Sequence, residues 1–161
     1  MESLKNLLLG RTWKGSLIRI LIVITVIVVP IRYHYRLVYN SGDSMAPTYI
    51  NHDILIIQNK RSLSPGWAPS RYDVLVVHAP FDRKYWTKRV IGLSEEVIEV
   101  IGGVVYVNGE RMLDPHIKEV YPLYIDPIKV PDGHFWVIGD NRETSEYGVF
   151  HADNVVGKVV F

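Results

Sequence analysis

Two segments hold the residue types that peptide-bond chemistry needs. The first is Gly42-Asp43-Ser44-Met45-Ala46-Pro47-Thr48. A serine between Gly42 and Pro47 sits in a tight, rigid turn. Such a turn suits a nucleophile held up for attack, with backbone N–H groups nearby to receive an oxyanion. The second is Lys88-Arg89-Val90-Ile91-Gly92, which follows Tyr85-Trp86-Thr87. Lys88 therefore belongs to an apolar strand and not to a solvated charge run, and desolvation disfavours its charged form. A neutral lysine is a competent general base for a serine hydroxyl. Alternation places Lys88 and Val90 on one face of the strand and Arg89 on the other. A third segment, Gly139-Asp140-Asn141-Arg142-Glu143-Thr144-Ser145, follows the apolar run Phe135-Trp136-Val137-Ile138 and is rich in short side chains that bond to backbone. Taken singly, the first segment reads as a linker turn, the second as a lysine on an edge strand and the third as a loop.

The elements that must position these residues are strands. Beyond Asn40 the chain runs in short stretches of Val, Ile and Tyr separated by turn residues. Residues 53–59, 73–78, 97–101, 104–107, 135–138 and 155–161 read as strands. Gly102-Gly103 and Asn108-Gly109 read as hairpin turns. No sustained 3.6-residue period follows residue 40. Two stretches read as loops, residues 62–71 and the proline-rich residues 114–131. The expected fold is mainly β, an antiparallel or mixed β domain over residues 37–161.

Ahead of that domain, residues 17–31 read LIRILIVITVIVVPI, with Arg19 the one charge. As a helix they span about 22 Å, short of the ~30 Å hydrocarbon core. The span becomes adequate with Arg19 snorkelling at one end and Tyr33-His34-Tyr35 in the other interface. The exit into Pro30-Ile31-Arg32-Tyr33 lacks the small residues of a cleavage site, so an uncleaved transmembrane anchor over residues 17–36 is favoured over a cleaved signal or a core element. The charge is split to match. Residues 1–36 hold six basic residues and one acid, and residues 37–161 hold twelve basic and sixteen acidic residues. Basic residues before the apolar run favour a cytoplasmic segment 1–16, with the β domain on the outer face. Ser44 follows Ile31 by only 13 positions, which tethers the nucleophile near the bilayer surface.

Composition removes other classes. The 161 residues contain no cysteine, which excludes thiolate metal sites, iron–sulfur clusters and a cysteine nucleophile. The six histidines show no HExxH pairing, no phosphate-binding glycine loop is present, and the acidic body argues against nucleic acid. No cofactor and no metal is expected. A Ser–His–Asp triad stays open on these grounds.

The segments, in this order behind an anchor, resemble the type I signal peptidases over essentially the whole chain. Ser44-Met45-Ala46-Pro47-Thr48 is similar to that family's Ser-Met-x-Pro-Thr box, and Tyr72-Asp73-Val74 to its Gly-Asp-Val strand start. Lys88-Arg89-Val90-Ile91-Gly92 resembles its lysine box, and Gly139-Asp140-Asn141-Arg142 with Ser145 its last box. The resemblance implies a membrane-bound serine endopeptidase of the plasma membrane that removes signal peptides from exported preproteins. Its partners would be preprotein signal peptides, bound as extended strands and cut after small residues, and the lipid bilayer. In this reading Ser44 attacks, neutral Lys88 carries the proton and Ser145 orients the Lys88 amine. Met45 lies near the substrate's P1 residue, Gly42 and Asp43 shape the nucleophile turn, and the Ser44 N–H lines the oxyanion hole. Asp140, Asn141 and Arg142 form the last box.

The chain departs from the pattern in three places. Gly42 stands where some members carry a side-chain oxyanion donor. The lysine box continues as Leu93-Ser94-Glu95-Glu96 instead of Pro-Gly-Asp. The last box reads Ser145-Glu146-Tyr147-Gly148, about three residues shorter than Ser-x-Asp-Ser-Arg-x-x-Gly. The shortening puts the placement of Ser145 in question. Three other readings stand beside the first: a catalytically impaired homologue that binds preproteins, which the shortened box motivates, a mitochondrial inner-membrane protease subunit, which the short length and single anchor suit equally, and a self-cleaving repressor with a related core. The last would require a DNA-binding module where the apolar run stands.

Overall fold

The computed structural model describes residues 13–117 and 121–161. Glu2, Lys5 and Arg11, which carry part of the expected cytoplasmic charge, lie outside the described residues. The chain divides into two units, Met1–Arg36 and Leu37–Phe161.

In the first unit, helix α1 (Trp13–Val23) runs into a π-helical turn (Ile24–Val28) and then α2 (Val29–His34). Pro30 lies at the start of α2. A proline there donates no N–H and crowds the preceding turn, and the wider π turn just before it is a known accommodation. The continuous run Trp13–His34 has 22 residues and is long and apolar enough to cross a membrane. At 1.5 Å per residue it spans about 33 Å, so helix beyond residues 17–31 supplies the missing length. Tyr35 and Arg36, expected within the anchor, are instead extended and open strand β1 (Tyr35–Tyr39).

The second unit is built from two sheets. The larger has seven strands: β1, β2 (Ile54–Asn59), β3 (Val74–Ala79), β4 (Lys84–Gly92), β9 (His134–Ile138), β10 (Tyr147–His151) and β11 (Val155–Val159), in the order β1-β2-β11-β3-β4-β9-β10. The smaller is β7 (Glu110–Arg111), β6 (Val104–Val107), β5 (Val97–Ile101) and β8 (Ile125–Lys129), in the order β7-β6-β5-β8. The pairings of β2 through β11 are antiparallel. The chain is thus mainly β, with one apolar N-terminal helix among the described residues.

Strand β3 reads as an unbroken apolar run because both of its faces are covered. Leu75, Val77 and Ala79 pack with Trp86, Val90, Phe135 and Phe150. Val74 and Val76 pack with Met45, Leu55, Ile57 and Val159 on the other side. A third cluster joins the smaller sheet to the larger through Ile98, Val100 and Ile125 against Ile91, Trp136 and Ile138. There a β-carbon on Gly92 would lie 2.6 Å from Ile98, so β4 ends in glycine where the two sheets close on each other. Burial of this many branched side chains, at about 25 cal/mol per Å² of apolar surface, is the main stabilising contribution.

Beyond β1, two strands arise where a loop or no strand was expected. Ile125–Lys129 pairs with β5 although Pro127 interrupts it, and an edge position tolerates the missing donor. Tyr147–His151 pairs with β9 along the opposite edge of the larger sheet from β1. The strand expected around Lys88 runs over residues 84–92, nine residues long.

Candidate active site

Ser44 stands in the turn that follows β1. The turn is entered at Gly42, whose φ of +98° lies in the left-handed region that favours glycine. Gly42 donates its N–H to Asn51 Oδ1 at 2.9 Å, and Asn51 returns its own N–H to Asp43 Oδ1 at 3.2 Å. Ala46 N–H closes the turn onto the Asp43 carbonyl at 3.0 Å. Gly42 and Asp43 are thus stitched to the segment leading into β2. Asn51 carries no mark in the sequence, where it looks like any turn asparagine. Met45, expected beside the substrate's P1 residue, is fully buried in the cluster of Leu55, Ile57 and Val76 and roots the turn in the core.

Lys88 comes from the middle of β4. Its Nζ lies 2.8 Å from Ser44 Oγ, a hydrogen bond between residues 44 positions apart. Only 4% of Lys88 is exposed. Burial pulls its pKa from 10.5 down to about 8, opposed by the Glu146 carboxylate, which favours the charged amine. The Trp86 ring lies 5.6 Å from Nζ and adds a second, weaker attraction for the ammonium form. Trp86 is held by its indole N–H on Asp82 Oδ2 at 3.1 Å and by edge contacts with Phe81 and Phe150. It is a core residue forming one wall of the site, while Tyr85 beside it is exposed.

The opposite face of β4 carries Arg89. Its Nε and Nη2 grip Asp140 Oδ1 and Oδ2 at 2.7 and 2.6 Å, and Nη1 donates to the Tyr72 carbonyl at 3.0 Å. Thr48 Oγ1 donates to the same carboxylate at 2.5 Å. Asp140 therefore ties the base strand to the end of the nucleophile turn. The β9–β10 connection also reaches Ser44 directly, because Asn141 donates its backbone N–H to the Ser44 carbonyl at 3.1 Å. Arg142 turns inward, with Nε on the Gly139 carbonyl at 3.0 Å and Nη2 on Asp114 Oδ2 at 2.7 Å. Burial lowers its pKa, countered by the carboxylates of Asp114 and Asp140.

Ser145 lies against this connection, but its described hydrogen bonds are to backbone. Its Oγ accepts from Gly139 N–H at 2.6 Å and donates to the Glu146 carbonyl at 2.8 Å. No hydrogen bond joins it to Lys88 among the described residues. Ser44, Lys88, Gly42, Asp43, Asp140, Asn141 and Arg142 are thus assembled around one centre, and Ser145 touches that centre through Gly139.

A groove of ≈ 390 Å³ opens over Ser44 and Lys88. Residues 38–44 and 84–88 line it, together with Val76, Thr144 and Glu146. The Ser44 backbone N–H makes no hydrogen bond among the described residues and is available to an oxyanion. The arrangement is chemically complete for hydroxyl activation: a nucleophile, a base with lowered pKa in contact with it, and an unused N–H donor on the same residue.

The chain is similar to known proteins over most of its length. Residues 13–161 match the family described as Signal peptidase, peptidase S26. The chain is 33% identical over 139 residues to Signal peptidase I of Bacillus caldolyticus, covering 75% of each protein. It is 31% identical over 136 residues to Probable signal peptidase I-1 of Synechocystis sp., covering 76% of this chain and 68% of that one. It is 33% identical to Signal peptidase I of Leptolyngbya laminosa, of which it spans 65%. A crystal structure of a signal peptidase I from Enterococcus faecalis V583 superposes with a TM-score of 0.51 at 24% identity, over 57% of this chain and 97% of that one, and shows the shared fold. With the family match running from Trp13 to the last residue, the chain belongs to the signal peptidase family of peptidases.

Proposed function

We propose that this chain is a membrane-anchored signal peptidase I, a serine endopeptidase that removes signal peptides from exported preproteins with Ser44 as nucleophile and Lys88 as base. The single observation that carries the reading is the 2.8 Å contact between Ser44 Oγ and a Lys88 amine whose burial lowers its pKa to about 8. Near neutral pH a useful fraction of that amine is neutral and accepts the Ser44 proton. Oγ then attacks the scissile carbonyl carbon, and the oxyanion forms against the Ser44 N–H. The Lys88 ammonium returns the proton to the departing amine of the mature chain, leaving the signal peptide as an ester on Ser44. Water, deprotonated by Lys88, hydrolyses that ester and restores both side chains.

The substrate lies as an extended strand in the groove between residues 38–44 and 84–88, where backbone on both sides offers hydrogen-bond partners. Val76 in the groove lining and the bulk of Trp86 restrict the space beside the nucleophile, which suits small side chains. The apolar helix anchors the chain in the plasma membrane, residues 1–16 face the cytoplasm, and residues 37–161 form the catalytic domain on the outer face.

One observation favours a second reading, a homologue that binds preproteins but cleaves them poorly: the Ser145 hydroxyl is engaged with Gly139 and Glu146 and not with the Lys88 amine. Detergent-solubilised protein incubated with a preprotein separates the two. The peptidase reading expects mature product from wild type and none from Ser44→Ala or Lys88→Ala. Wild type cleaving no better than either variant leaves the binding reading.

A further inference from the structure

We infer that Asp114, delivered by the smaller sheet, is a positioning residue for the nucleophile, acting through Arg142 and Gly139. The inference rests on the peptidase reading above and adds a residue from outside every segment that suggested it. Asp114 stands three residues beyond β7, in the connection from the smaller sheet back to β8. Its side chain is 3% exposed, and it faces the Arg142 side chain, 1% exposed, at 2.7 Å. The carboxylate is itself held in place: the His116 backbone N–H donates to Oδ1 at 3.0 Å, which leaves Oδ2 for the guanidinium.

The path from this pair to the reacting atoms is short and made of backbone. Arg142 Nε donates to the Gly139 carbonyl at 3.0 Å. Gly139 passes so close to Ser44 that a β-carbon on it would lie 2.0 Å from the Ser44 carbonyl oxygen. Asn141, two residues on, donates to that same oxygen at 3.1 Å. The Ser44 carbonyl is therefore seated in a concave stretch of backbone whose shape Arg142 fixes and whose charge Asp114 balances. Ser44 Oγ and N–H belong to the residue so seated, and small displacements of a reacting group are enough to cost large factors in rate.

Charge explains why the brace must be a carboxylate. The side chains of Arg89 and Asp140 form one buried pair, 5% and 1% exposed, and Arg142 with Asp114 forms a second beside it. Each arginine is balanced by one acid. Removing Asp114 leaves Arg142 as an uncompensated buried cation, which either draws on the Asp140 carboxylate or swings toward solvent. Both responses move Gly139. The connection from β9 to β10 is short, and Asp114 braces it from another part of the chain.

The test uses full-length protein in detergent and a preprotein substrate, with Ser44→Ala as the inactive reference that checks the peptidase reading independently. Asp114→Asn is expected to lower kcat about ten-fold with KM within about two-fold, because the groove is untouched while the nucleophile is misplaced. Asp114→Glu, which restores the charge, is expected to recover most of that loss. A double variant, Asp114→Leu with Arg142→Met, replaces the pair by apolar side chains of similar size and guards against a mere folding defect. The proposal expects it to fold and to keep the lowered kcat. Wild-type kcat in that double variant, or in folded Asp114→Asn, overturns the proposal. So does failure of both to fold, since the pair would then serve the fold as a whole. Wild type as inactive as Ser44→Ala would instead reject the peptidase reading.

Discussion

The carbonyl oxygen of Ser44 occupies the place a side chain on residue 139 would need: a β-carbon there would sit 2.0 Å from it and 2.5 Å from Ser145 Oγ. The close approach is backbone against backbone, so no rotamer change relieves it. Gly139→Ala is expected to push Ser44 off the Lys88 amine and to lower kcat by about a hundred-fold, a loss of the size that an ångström-scale misplacement produces. Initial-rate measurements on a preprotein, with circular dichroism to confirm folding, check this. Activity near wild type would show that the nucleophile turn tolerates a shift that the geometry says it does not.

The pH dependence of cleavage follows from the Lys88 amine. It works as a base only when neutral, and burial places its pKa near 8. The rate is expected to rise with pH through about 8 and to level off above it. Glu146 favours the charged amine, so Glu146→Gln is expected to move the rising limb to lower pH. Rate profiles from mildly acidic to alkaline pH, for wild type and this variant, give both results. A limb that stays fixed when Glu146 is neutralised would remove that carboxylate from the site's electrostatics.

The same shift makes Lys88 a stability cost. Its pKa is lower in the folded chain, about 8, than the ordinary 10.5. Between those values the unfolded chain binds the proton and the folded chain does not, so folding is favoured as pH rises. Below about 8 the desolvation penalty is fully present, on the order of 3 kcal/mol. Lys88→Met is therefore expected to melt higher than wild type at pH 7, by about 1–2 kcal/mol after loss of the Ser44 hydrogen bond. The gap should close as pH approaches 10.5. Thermal melts across that range test the sign.

The sequence made the strands legible wherever Val and Ile clustered between turn signals: residues 54–59, 74–79, 97–101 and 104–107 all form strands. It concealed Ile125–Lys129, because a proline inside an edge strand reads as loop until the partner strand is known. Ser44 and Lys88 stood out because their neighbours were unusual for their types, a serine between glycine and proline and a lysine in an apolar strand. Asn51 and Asp114 carried no such mark. Their roles depend on which groups the fold brings to them, across 9 and 28 positions, and local pattern holds no record of that. Ser145 illustrates the reverse: its place in a motif pointed to the Lys88 amine, while the chain's short connection engages its hydroxyl with backbone.

The Arg89–Asp140 pair sets up the last prediction, because its burial separates it from the ion pairs of the surface. Its side chains are 5% and 1% exposed and joined by two hydrogen bonds, and Thr48 adds a third to the same carboxylate. Asp140→Asn keeps the shape but leaves Arg89 charged and unbalanced in the interior, a change that costs about 3–5 kcal/mol. Denaturant titration is expected to show that loss, together with a fall in kcat, since Thr48 and the nucleophile turn lose their tie to β4. Asp153 offers the control. It pairs with Lys60 at 2.9 Å, but its side chain is 82% exposed. Solvent and salt screen such a pair, so Asp153→Asn is expected to leave the denaturation midpoint unchanged within error. Equal losses from the two substitutions would mean that burial does not distinguish these ion pairs and that Asp140 does not hold the site together.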